Sequence, residues 1–146
     1  NMFKRLFIAV ILLGSMSANA ANPISELDFG TYELVRVDGQ LTGMQMRLSK
    51  ANGTWLMEGR EGGSWENISC DRGCDYRLST TKESAMYLNS FPVEVQTQFN
   101  IACIQNVANA FCRLNQKTES SKGFYALVTL VAGRPIPILL KKIAKP

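Results

Sequence analysis

Two dipeptides, Asp38-Gly39 and Asn52-Gly53, divide the first half of the chain into runs that fit best as neighbouring antiparallel strands. Both suit tight turns whose central residues take positive φ, the geometry that matches the twist of a hairpin. Residues 31–37, 40–48 and 54–58 are therefore expected to form a three-stranded meander. In the middle run Thr42, Met44, Met46 and Leu48 share one face, and Gly43, Gln45 and Arg47 share the other. That alternation is the mark of a half-buried strand, with one face inward and one in water.

Residues 59–64 read as a glycine-rich loop. A second strand pair, residues 65–70 and 74–79, is expected about a turn at Asp71-Arg72-Gly73, with Cys70 and Cys74 clamping it. Thr80 followed by Glu83 is a capping box, and it opens a short helix that ends before Phe91-Pro92. The last hairpin pairs residues 123–131 with 136–143 about Ala132-Gly133-Arg134-Pro135. Pro135 and Pro137 have the same parity, so their missing N–H groups fall on one side of the strand, which points to a sheet edge or barrel rim.

Residues 93–114 are ambiguous. Val95, Phe99, Cys103 and Val107 make a helical face, whereas residues 98–104 fit a strand equally well. The cysteines help to decide. Four of them, Cys70, Cys74, Cys103 and Cys112, form an even set of the kind that pairs in an oxidising compartment. Of the three possible pairings, Cys70 with Cys74 and Cys103 with Cys112 is favoured. Nine residues of helix rise about 13.5 Å, but a disulfide needs its Cα atoms within about 7 Å. A Cys103–Cys112 bridge thus calls for two strands or a break around residues 105–109. A zinc site is disfavoured, because only Cys70 and Cys74 have the close spacing of metal-binding pairs.

The resulting expectation is an all-β fold, β-rich with one short helix, built as an antiparallel sandwich or partly closed barrel; α+β is the alternative if residues 93–114 are helical. Residues 21–146 form one disulfide-stabilised domain, and residues 1–20 read as a cleavable signal peptide. Lys4 and Arg5 precede eight unbroken apolar residues from Leu6 to Leu13, and Ala18-Asn19-Ala20 supplies the cleavage pattern. The apolar run is too short for a membrane span. Without those two basic residues the formal charge falls from +4 to +2, which removes most of the case for a nucleic-acid partner. A periplasmic or secreted location in a bacterium, with no membrane span after cleavage, is the expectation. Of the basic tail Lys141, Lys142 and Lys145, nothing more than a solvated end is expected.

The chain has no histidine, so the usual general base and every imidazole-based triad are missing. Ser79-Thr80-Thr81-Lys82 matches the S-x-x-K spacing of serine–lysine enzymes, but the capping box explains the same residues without catalysis. Trp55, Glu58, Glu61, Trp65 and Glu66 offer carboxylates and aromatic rings for a glycan, although tryptophans at strand positions are more often core. No catalytic residue, metal or cofactor is expected. The most distinctive contact surface is the cysteine-flanked loop Asp71, Arg72 and Gly73, whose rigidity would lower the ordering cost of binding a partner. The functional expectation is a small exported binding protein without catalytic activity, an inhibitor or immunity protein against an enzyme of the cell envelope. The alternative is a β-barrel that holds a lipid or other apolar small molecule.

Overall fold

Alternating and continuously apolar runs settle on opposite arms of one antiparallel sheet. The computed structural model describes residues 21–68 and 75–144. Its strands are β1 (Gly30–Val35), β2 (Leu41–Ala51), β3 (Thr54–Glu61), β4 (Glu66–Asn67), β5 (Arg77–Leu78), β6 (Phe99–Gln105), β7 (Asn109–Gln116), β8 (Gly123–Thr129) and β9 (Ile136–Ala144). They lie in the order β4-β3-β2-β1-β9-β8-β7-β6-β5. Two meanders are thus joined where β9 lies beside β1, and the sheet curls into a half-barrel. The expected partly closed antiparallel barrel is the architecture found.

The two glycine turns differ in kind. Asn52 and Gly53 both have positive φ, 52° and 75°, and Ala51 faces Thr54 as a two-residue hairpin requires. At the first turn only Gly39 is left-handed, with φ 85°. Its N–H donates to the Arg36 carbonyl at 2.8 Å and the Arg36 N–H to the Gln40 carbonyl at 2.7 Å, giving a longer loop with glycine last. Asp38 acts through its side chain instead, accepting from the Gln40 N–H at 3.0 Å.

Between the meanders stand α1 (Thr81–Leu88) and α2 (Val93–Gln98). Thr80 and Glu83 form the reciprocal capping box. The ambiguous segment proves to be both things in turn, the helix α2 and then the hairpin of β6 and β7. In that hairpin Cys103 faces Cys112, and the two are bridged with a Cα separation of 4.2 Å.

Two expectations need correction. Among the described residues, 65–68 and 75–79 do not pair with each other: β4 adds to β3 and β5 to β6, so they cap opposite edges of the sheet. The longer strands beside them offer more hydrogen-bonding edge than two such short runs offer each other. The strand carrying Pro137 is central, not an edge. β1 pairs with β9 only from Leu140 onward, so beside Pro137 one flank of the strand has no neighbour in the sheet. There the missing N–H breaks no ladder bond.

One core fills the inside of the curl. Tyr32, Met46, Leu48, Met57, Ile104 and Phe111 are each at most 2 % exposed and come from both arms. Tyr32 sits edge-on to Phe111 at 5.1 Å, and Ile24 closes the cluster from the N-terminal lead-in. A second core lies on the outer face of β6–β8, where Ala110, Cys112 and Ala126 are small enough to admit the helical layer carrying Tyr87 and Phe91. The disulfide is buried in this layer. Among the described residues no helix is long and apolar enough to cross a membrane.

Candidate functional site

The lead-in, residues 21–29, crosses the inner side of the sheet as a strap. Ser25 caps a single 3-10 turn, Glu26–Asp28, and its N–H donates to the Asp28 carboxylate at 2.9 Å. Asp28 is 1 % exposed, yet every acceptor it offers inward is used. Its Oδ2 takes Arg113 Nη1 at 2.5 Å, its Oδ1 takes the Tyr125 hydroxyl at 2.8 Å, and its carbonyl takes the Tyr32 hydroxyl at 2.5 Å. Arg113 also donates to Asn115 Oδ1 at 2.8 Å and to the Asn22 carbonyl. A buried carboxylate is tolerated only with such a set of charge-assisted donors. Burial pushes the Tyr125 phenol up to about 12 and Tyr32 upward as well, which keeps both as neutral donors.

The strap separates two open clefts. One, of about 510 Å³, is polar and contains Asn22, Asp28, Asn100, Arg113 and Lys117. The other, of about 430 Å³, is mostly apolar, with Ala21 and Pro23 on one wall, Ala85 and Leu88 of α1 on the other, and β6 between them.

β6 reaches this second cleft with part of its edge unpaired. In the hairpin the 4.2 Å separation of Cys103 and Cys112 is that of a non-hydrogen-bonded pair. Odd-numbered residues of β6 therefore turn their N–H and C=O away from β7. The pattern is consistent on both sides: Cys103 accepts from Ser79 N–H at 2.9 Å, and Gln98 accepts from Lys117 N–H at 2.9 Å. β5 pairs only with Ile104 and Gln105, and the chain then leaves into α1. Facing the cleft, the Ile101 N–H, the Ile101 carbonyl and the Cys103 N–H have no protein partner among the described residues.

The residues singled out in the sequence are placed as follows. Cys103 and Cys112 are bridged; Cys70 and Cys74, with the loop Asp71, Arg72 and Gly73, lie outside the described residues. Ser79 Oγ is buried and makes no hydrogen bond, so Lys82 does not engage it. Trp55 and Trp65 fall on opposite faces of the sheet. Trp55 packs inward against Phe29 at 6.0 Å, whereas Trp65 lies outside, with the guanidinium groups of Arg47 and Arg60 each 4.4 Å from its ring centre. Glu58 is occupied by Arg47 at 2.9 Å. The five residues considered for a glycan therefore form no single platform.

Asp28 and Arg113 were missed, being 85 residues apart. The available signal was an arginine between Cys112 and Leu114 in an otherwise apolar run, which requires an acidic partner somewhere in the fold. Comparison with protein-family models, with curated proteins and with solved structures gave no match.

Proposed function

We propose that this chain is an exported protein that acts by binding another protein of the cell envelope, without catalysis, in the manner of an inhibitor or immunity protein. The observation that carries this reading is the filled interior of the half-barrel. Tyr32, Leu48, Met57, Ile104 and Phe111 are fully buried inside the curl, where a ligand-carrying barrel would keep its chamber. Recognition is thereby moved to the outside and to the edges. The buried Cys103–Cys112 bridge is compatible with a periplasmic or extracellular setting, and the leader-like residues 1–20 support export.

The reading is tested by expressing the full chain, locating it by fractionation, and passing envelope extract over the purified protein. A mature terminus at Ala21 and a single stoichiometric protein complex by native mass spectrometry are expected. Recovery of bound lipid alone would favour an apolar-ligand protein instead.

A further inference from the structure

Resting on that binding reading, we propose that the open edge of β6 takes up an extended segment of the partner protein as an additional antiparallel strand. Three features select a main chain as the occupant. First, Ile101 presents an unpaired N–H and an unpaired C=O toward the cleft, beyond the point where Ser79 bonds to the Cys103 carbonyl. This is the hydrogen-bonding pattern that a peptide backbone satisfies in β-augmentation. Second, β5 and the following Ser79 already occupy the same edge from Gln105 back to Cys103, so they set both the line and the direction that an incoming strand would continue. Third, the cleft has walls on both faces of the edge. Alternate side chains of an added strand would meet Ala21 and Pro23 on one side and Ala85 and Leu88 on the other.

The free stretch from Phe99 to Ala102 is about 10 Å long at about 3.4 Å per residue, so roughly three residues of the partner would pair. Small or medium apolar side chains suit the walls. Lys117 lines the same cleft and has no acidic partner among the described residues, so an acidic residue at that end of the segment completes the match. The opposite edge of the sheet is less suited. There Ile68 N–H donates to the Met57 carbonyl and Trp55 is already covered by Phe29 and Lys50.

The test uses protein purified from cells expressing the full chain, and a blocked peptide of alternating valine and threonine ending in glutamate, at millimolar concentration. Amide exchange is read residue by residue. The peptide should slow exchange at Ile101 by about tenfold or more, the effect of one added hydrogen bond. The same peptide N-methylated at alternate residues should give no protection. Ile101→Pro removes the donor that faces the cleft, while the bonds to β7 are carried by Asn100 and Ala102, and it should abolish the chemical-shift changes that the peptide causes along β6.

Three results would overturn the proposal: no protection by the unmodified peptide, equal protection by the N-methylated one, or an Ile101 amide already protected in the protein alone, which would mean that the chain covers its own edge. The envelope complex separates the two levels. A complex that survives Ile101→Pro unchanged removes the β6 edge but leaves the binding reading standing, whereas the absence of any complex with the parent chain removes the reading itself.

Discussion

The two arms of the sheet solve the same packing problem in different ways. On the N-terminal arm, β1–β3, only the inner face is covered by protein. Its outer face is a polar ladder in which Glu33, itself buried, accepts from Gln45, Gln45 from Arg60, and Glu58 from Arg47, with Trp65 resting on the two guanidinium groups. On the C-terminal arm, β6–β8, both faces are covered, the inner by the aromatic core and the outer by the helical layer. The sequence reflects the difference directly. β2 alternates, whereas β6 and β8 read as nearly unbroken apolar runs, as strands buried on both faces do. A doubly buried strand has no period of two, and for this reason residues 93–114 could not be distinguished from a helix by pattern alone.

If that contrast is right, truncations inside the fold should cost far more than truncations on the outer face of β1–β3. Phe111→Ala removes a fully buried ring packed against Tyr32 and Tyr125, and should destabilise by about 4 kcal/mol in urea unfolding. Next in size, joint Cys103→Ala and Cys112→Ala substitution should cost about 2–3 kcal/mol, the effect of releasing a loop of about ten residues. A cost near zero would mean that the helical layer, not the bridge, holds the β6–β7 hairpin. On the solvated arm, Trp65→Ala should cost about 1 kcal/mol or less, since it loses two partly exposed cation–π contacts. A value matching that of Phe111→Ala would break the comparison.

The smallest effect is at the helix cap. Arg77 donates to both oxygens of Glu83 at 2.8 Å, and together with the Thr80 N–H it holds this carboxyl down at about 2, against 4.5 for a free glutamate. A depressed carboxyl contributes stability that is present above the unfolded value and lost as the pH falls toward the folded one. Glu83→Gln should therefore melt slightly below the parent near neutral pH, and the gap should close between pH 4.5 and about 2. The pair is exposed, so screening keeps the difference small.

Much of the fold could be read before the structure: the Asn52-Gly53 hairpin, the capping box at Thr80, the last hairpin and the Cys103–Cys112 pairing all depend on local chemistry. What could not be read depends on partners distant in sequence. β4 and β5 sit on opposite edges because longer strands outcompete their mutual pairing, and Pro137 is tolerated in a central strand because β1 stops short of it. The candidate site is of the same kind. No local pattern announces that Asp28 will meet Arg113, or that the chain turns into α1 and leaves half of the β6 edge without a neighbour.

That half-open edge beside a filled interior is the core of the account, and residue-resolved amide exchange on the protein alone tests it most directly. The bonds to β7 predict slow exchange at Asn100, Ala102 and Ile104, with fast exchange at Ile101 and Cys103 between them. Uniform protection along β6 would contradict it.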